Sequence, residues 1–186
     1  MNAPTHLDKE LFSAEEIRAR INIIAGNISR DYGTDDILAV SILKGSFVFT
    51  ADLIRALAGH QVHPLVDFLT LSSYGPDSTS SGTVTLHHEL SLPVGGHRVL
   101  LIDDILDTGL TLQTACQLLT RQGAKEVRTC VLLDKPSRRV APITADYTGF
   151  QIENVFVVGY GLDYNNRYRH LPGLFSLQFE GTPGAT

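Results

Sequence analysis

Residues Val99 to Leu112, VLLIDDILDTGLTL, constrain this chain more than any other stretch. The four opening apolar residues, rich in branched side chains, read as a strand buried on both faces of a parallel sheet. That run ends in two carboxylates, Asp103 and Asp104; Asp107-Thr108-Gly109-Leu110-Thr111 follow after Ile105 and Leu106. Gly109 permits a tight turn, and the small hydroxyl residues beside it leave backbone N–H groups free to face a common space. Leu112, Ala115, Cys116 and Leu119 then recur at helical spacing. The turn is thus a strand-to-helix junction, whose N–H groups and positive dipole end favour an anion such as phosphate.

Asp103, Asp104 and Asp107 would repel a bare phosphate, so the ligand must reconcile carboxylates with an anion cradle. Sugar hydroxyls or a Mg²⁺ ion do so. A ligand with a phosphate, vicinal hydroxyls and a magnesium-bound second anion meets all three demands, and phosphoribosyl pyrophosphate is one. No G-x-x-x-x-G-K-[ST] occurs anywhere in the chain, which excludes a Walker-type phosphate loop.

The chain of 186 residues is long enough for a helix-covered sheet, and a single domain over 1–186 is expected. With 43% hydrophobic and 19% charged residues it is neither disordered nor membrane-embedded in composition. The start, MNAPTHLDKELF, has no apolar signal core, so a cytoplasmic location is expected. A net charge of −5 argues against general nucleic-acid binding. Cys116 and Cys130 fit neither a C-x-x-C nor a zinc spacing and read as reduced, buried thiols.

Along the chain, Ser13 and Glu16 form a capping-box pattern before a helix that buries Ile17, Ile21, Ile24 and Ala25 and ends near Tyr32-Gly33. Ile37 to Leu43 reads as a buried strand, stopping at Lys44-Gly45-Ser46, and Phe47 to Leu57 returns to helical spacing. Open parallel sheets bind ligands beyond the carboxyl ends of their strands, which makes Lys44 and Gly45 candidates. Pro64 to Leu71 is a further strand; Ser72 to Gly82, SSYGPDSTSSG, reads as a loop, and strand character resumes at Thr83 to Leu86. His87 and His88 point to opposite sides of a strand, so they and Glu89 make too few ligands for one metal ion. Glu126 to Leu133 is another buried strand, putting Lys135 on the same rim as Asp103 and Lys44, where its ammonium could donate to the carbonyl of a base. From Phe156, FVVGYGLDYNNRYRHLP sets aromatic faces beside free backbone groups, which suits a flat heterocycle. Leu174 to Phe179 looks like a closing strand and GTPGAT like a frayed tail.

The central stretch resembles the phosphoribosyl pyrophosphate loop of the type I phosphoribosyltransferases. From about Glu16 to about Leu177 the chain is similar to the bacterial hypoxanthine phosphoribosyltransferases of that family, with SILKGSFVFTADL, LLDKPSRR and FVVGYGLDY as further matches. The resemblance implies an α/β fold: a mostly parallel twisted sheet flanked by helices, with a small cap or hood. The alternation of strands and helical segments independently predicts that layering. Ser72 to His97 and the final strands are expected to build the cap.

The activity implied is transfer of a phosphoribosyl group to hypoxanthine, and to guanine, giving IMP or GMP and pyrophosphate with Mg²⁺, in a homodimer or homotetramer. Family roles carried over by position make Asp107 the general base or acid, with Asp107, Thr108, Gly109, Leu110 and Thr111 gripping the 5′-phosphate. Asp103 and Asp104 would hold ribose hydroxyls or the metal's waters, and Asp163 would help hold the metal. The Lys44-Gly45 backbone, with a cis Leu43-Lys44 peptide, and Arg169 would receive pyrophosphate. Lys135 would contact the purine 6-oxo group, Phe156 would stack on the base and the Val157 backbone would read its edge. Ser73 and Tyr74 match the signature pair of a lid that would exclude water from a ribosyl cation. Position 103 is commonly Glu in the family, and Leu110 stands where many members carry Lys or Asn. A regulator on the same fold, such as the uracil-sensing RNA-binding attenuators, is the competing reading; acidic charge and Asp107 count against it. A receiver domain would need its acidic pair on the first strand.

Overall fold

The computed structural model describes residues 4–33, 35–73, 84–88 and 90–179. In chain order the elements are β1 (Pro4–Phe12), α1 (Ala14–Tyr32), β2 (Ile37–Leu43), α2 (Phe47–Gly59), β3 (Leu65–Ser73), β4 (Val84–His88), β5 (Arg98–Leu106), α3 (Leu110–Arg121), β6 (Glu126–Asp134), a 3₁₀ turn (Pro136–Arg138), β7 (Tyr147–Gln151), β8 (Val157–Val158) and β9 (Leu174–Phe179). Six strands form one sheet in the order β4-β3-β2-β5-β6-β7. Its inner pairings are parallel, and β4 runs antiparallel to β3 at the edge.

Parallel strands need helical crossovers, and these cover both faces here. Ile17, Ile21, Ile24 and Ile28 of α1 and Phe49, Leu53 and Leu57 of α2 pack with Ala39, Leu100, Ile102 and Leu132 on one side. On the other, Leu112, Ala115 and Leu119 of α3 meet Leu38, Val40, Val99, Leu101 and Val131. Leu100, Leu101 and Ile102 are all fully buried, so successive residues of β5 feed opposite cores, as an unbroken apolar run requires. Each such side chain contributes about 1.5–3 kcal/mol through burial. The capping box expected at Ser13 is made: Glu16 N–H donates to Ser13 Oγ at 3.3 Å and Ser13 N–H to Glu16 Oε2 at 2.8 Å.

The strand order reverses between β2 and β5. From β2 the chain crosses outward to β3, then returns past β2 to β5 and continues through β6 to β7. The two strands at this switch point splay their connections to opposite sides, which opens a crevice beyond their carboxyl ends. Lys44-Gly45 leaves one lip and the acid pair with its glycine turn leaves the other.

A three-stranded sheet, β1-β9-β8, forms the smaller body. It differs from expectation in composition. Ser72 and Ser73 extend β3, and β4 belongs to the large sheet, so the Ser72 to His97 stretch is not part of the hood as expected. The reason lies in Asp67: its carboxylate accepts from the N–H groups of Ser91 and Leu92 at 2.6 and 2.8 Å, tying the return segment to β3, while Val94 enters the core beside α3. The third hood strand is β1, at the N-terminus, paired antiparallel with β9. Residues 180–186 and most of the expected lid lie outside the described residues.

Candidate active site

Three segments remote in sequence meet at the switch point because glycines let their backbones touch. A Cβ on Gly45 would lie 1.8 Å from Asp104 Oδ2, and one on Gly161 would lie 2.2 Å from the Gly45 carbonyl oxygen. Gly161 also has φ +100°, a conformation open to glycine. The Gly45 turn is thus held between the acid pair and the loop after β8. The Leu43-Lys44 peptide is cis, as the resemblance implied.

Asp103 and Asp104 lie inside β5, which continues through them to Leu106 instead of stopping at the pair. Asp103 is buried. Burial, followed by the neighbouring Asp104 charge, pushes its carboxyl well above the usual carboxylate range. Burial raises Asp104 as well, a rise that hydrogen bonds from the Asp103 side chain and from the N–H groups of Asp104 and Ile105, and then the Arg169 charge, oppose without cancelling. The two adjacent carboxyls therefore disfavour being charged together, and a cation or hydroxyl donors between them would favour the ionised pair.

After β5, Gly109 adopts φ +86° and caps α3 without a side-chain hydrogen bond; Leu110 N–H reaches Thr108 Oγ1 at 3.5 Å, and the next amides of that helix are left to another acceptor. Asp103, Asp104, Asp107, Thr108, Gly109 and Thr111 line one cavity of about 330 Å³, closed opposite by Lys44 and Gly45. Leu110 opens α3 but is not in that lining. A second cavity, of about 400 Å³, adjoins it through Asp104 and Asp107 and is walled by Lys135, Phe156, Val157 and Asp163. That volume is in the range of small-ligand sites. Phe156 is 42% exposed, its ring braced edge-on by Tyr164 and Phe179 at centroid distances of 5.5 and 5.6 Å. An aromatic face presented to a cavity and supported from behind is a stacking platform. Buried Lys135 donates to the Val155 carbonyl at 2.8 Å; burial lowers its affinity for the proton, while Asp107 nearby opposes that shift.

Arg169 reaches back across its loop, donating to the Gly161 carbonyl at 2.6 Å and pairing with Asp163 at 2.6 Å. Asp163 also accepts from Asn166 N–H. Among the described residues no three His, Cys, Asp or Glu side chains gather as a closed metal cage. Two carboxylates on the rim, Asp104 shared by both cavities and Asp163, instead suit a hard divalent cation that takes most of its ligands from water and phosphate oxygens.

A larger cavity, about 760 Å³, lies between α1, α2 and the loop before β9, bordered by Arg18, Arg55 and His170. It shares only Arg169 with the groups above and has neither acid pair nor glycine turn, so its size does not make it the reaction site. Ser73 ends β3, and Tyr74 lies outside the described residues. Two contributors escaped the sequence reading: Arg138, whose Nε lies 3.3 Å from Asp107 Oδ1, and Arg139, paired with Asp134 and donating to the Asp107 carbonyl. The sequence offers only their position just past a strand's carboxyl end as a signal.

Residues 9–165 match the model of the phosphoribosyl transferase domain. The chain belongs to the phosphoribosyltransferase family. Among characterised members it is 42% identical to a hypoxanthine-guanine phosphoribosyltransferase of Bacillus subtilis, over 89% of this chain and 91% of that one. It is 41% identical to the hypoxanthine phosphoribosyltransferase of Escherichia coli, over 90% and 93%. A solved hypoxanthine phosphoribosyltransferase of Trypanosoma cruzi superposes with a TM-score of 0.88 at 40% identity, covering 96% of this chain and 95% of that one. The RNA-binding alternative finds no support among these relatives. Within this phosphoribosyltransferase no helix of the described residues is long and apolar enough to cross a membrane.

Proposed function

We propose that the chain is a purine-salvage transferase that moves the phosphoribosyl group of phosphoribosyl pyrophosphate to N9 of hypoxanthine or guanine, releasing pyrophosphate with IMP or GMP. The observation that carries this is the sharing of Asp104 and Asp107 by two adjoining cavities, one with an anion-binding turn and one with an aromatic platform. A sugar phosphate in the first and a base in the second would meet at those two carboxylates.

The 5′-phosphate binds the amides from Asp107 to Thr111, helped by the N-terminus of α3. Asp103 and Asp104 hold the ribose hydroxyls, and their charge favours a ring that becomes cationic as the C1′–O bond to pyrophosphate breaks and the C1′–N9 bond forms. The Lys44-Gly45 turn and Arg169 receive the departing diphosphate. Asp107 holds or takes the purine ring proton as N9 becomes bonded. Lys135 donates to the 6-oxo group, Phe156 stacks on the ring and the Val157 backbone meets its edge. Asp104 and Asp163, with Asp103, would hold Mg²⁺, which supplies charge neutralisation for the diphosphate when bound. Ser73, at the end of β3, and Tyr74, outside the described residues, would serve to exclude water from the ribosyl cation. The enzyme works in the cytoplasm as a homodimer or homotetramer, for which the exposed Phe47, Leu65 and Phe68 offer apolar contact surface.

The test is a spectrophotometric assay with magnesium, phosphoribosyl pyrophosphate and each purine base in turn, ranked by kcat/KM. Hypoxanthine and guanine should lead. Absence of nucleotide with every base, together with an RNA gel shift, would overturn the proposal in favour of a regulator.

A further inference from the structure

The segment from Asp134 to Ala141 takes hold of three consecutive carbonyls of the glycine turn. Lys135 N–H donates to the Leu106 carbonyl at 3.0 Å, and the N–H groups of Val140 and Ala141 both donate to the Thr108 carbonyl at 2.9 Å. Between them, the Asp107 carbonyl accepts from Arg139 Nη1 at 3.1 Å, while Nη2 of the same guanidinium pairs with Asp134. In a planar trans peptide, the C=O of one residue and the N–H of the next point in opposite directions. Fixing these three carbonyls therefore turns the N–H groups of Asp107, Thr108 and Gly109 the other way. All three residues line the 330 Å³ cavity, and none of the three N–H groups has a hydrogen-bond partner among the described residues. Arg139, with Ile143 just beyond the segment, also backs the turn sterically: a Cβ on Gly109 would lie 2.8 Å from Ile143 Cγ2 and 3.1 Å from Arg139 Cδ.

The middle carbonyl is the one that no backbone donor secures. We propose that Arg139 is a positioning residue: braced by Asp134, its guanidinium locks the Asp107–Thr108 peptide so that the turn's amides face the 5′-phosphate. This rests on the reading of the turn as a phosphate site. Two different nitrogens of one rigid guanidinium reach the carbonyl and the carboxylate, and Arg139, with 17% of its side chain exposed, is shielded from competing water. Its neighbour Arg138 is 47% exposed and meets the Asp107 carboxylate instead of the backbone, so the two arginines are not interchangeable.

The test follows backbone amides by ¹⁵N NMR during titration with ribose 5-phosphate, in the wild type and in Arg139→Ala, Arg139→Lys and Asp134→Asn. In the wild type, the Thr108 and Gly109 resonances should move and saturate. Arg139→Ala should weaken ribose 5-phosphate about tenfold, the loss of one charge-assisted hydrogen bond, with partial recovery in millimolar guanidinium. Arg139→Lys should stay well below wild type, because one ammonium nitrogen on a shorter, flexible stem replaces two nitrogens fixed in a plane, and Asp134→Asn should be weakened about threefold. Should Arg139→Ala fail to fold, the Lys and Asn variants carry the comparison. Affinity within twofold of wild type in folded Arg139→Ala, or full function in Arg139→Lys, would overturn the positioning role. Wild-type amides 107–111 left unmoved by ribose 5-phosphate would instead remove the phosphate-site reading beneath it.

Discussion

Replacing Gly45 by Ala separates catalytic geometry from stability. The new Cβ would sit 1.8 Å from Asp104 Oδ2, where ordinary van der Waals contact begins at 3.4 Å, so the carboxylate must retreat by 3.4 − 1.8 = 1.6 Å. Gly45 has little room to move instead, since Gly161 packs so near its carbonyl oxygen that a Cβ there would lie only 2.2 Å away. Rotating one carboxylate off its rotamer costs about 0.5–1.5 kcal/mol, a few degrees in Tm for a domain of this size. The displaced group is, on the account above, the one that faces the ribosyl ring, and a misplacement of about 1 Å at a reacting centre costs on the order of 10²-fold in rate. Gly45→Ala should therefore keep its fold, by circular dichroism and thermal melt, while kcat/KM for hypoxanthine falls about a hundredfold. A folded Gly45→Ala with wild-type kcat/KM would refute the reasoning, and so would a loss fully explained by melting at the assay temperature.

Asp107→Asn should lower kcat by about 10²-fold or more while changing the Kd of phosphoribosyl pyrophosphate little, measured by single-turnover kinetics and calorimetry; equal losses would contradict a proton-handling role. Because burial raises the Asp103 carboxyl in the folded state, stability falls as pH rises from the ordinary aspartate value toward its raised folded value. Asp103→Asn should remove that slope and raise Tm at neutral pH, each kcal/mol so recovered being worth about 2–4 °C; an unchanged melting profile from pH 4 to 8 would show that Asp103 is already ionised. Lys135→Met should raise KM for hypoxanthine roughly 10–100-fold, the value of a hydrogen bond to a charged donor, and leave KM for phosphoribosyl pyrophosphate nearly unchanged; steady-state kinetics with each substrate varied would reveal the opposite pattern if Lys135 served the sugar side.

The elements legible in the sequence are those whose chemistry is local. β2 has the bounds that its apolar run sets, the Ser13-Glu16 cap starts α1, and the turn after β5 leads into α3 through a left-handed glycine, as its residue types require. β1 was missed because PTHLDKELF has neither clear alternation nor a turn signal; it becomes a strand only by pairing with β9 at the far end of the chain, where Ser176 Oγ donates to Asp8 at 3.0 Å. The hood was misassigned for the same reason, since the Asp67 latch that draws residues 91–92 to the main sheet is a long-range contact. In the site, residue types announced Asp103, Asp104, Asp107 and Lys135. What they could not announce is the stacking of Gly161 on Gly45 on Asp104, or the grip of Arg139 on the turn, because each depends on which backbones approach across the switch point. Cys130 is buried as expected and Cys116 is half-buried on α3, both free; burial pushes the Cys116 thiol up to about 11, which suits inert packing.

The central claim is that one crevice seats a ribose 5-phosphate against the glycine turn with a purine beside it. A crystal structure with inosine 5′-monophosphate tests it most directly. The account requires phosphate oxygens about 3 Å from the amides between Asp107 and Thr111, ribose hydroxyls at Asp103 and Asp104, and the base on Phe156 with its 6-oxo group toward Lys135. Phosphate seated elsewhere, for instance beside Arg18, Arg55 and His170 in the larger cavity, would contradict it.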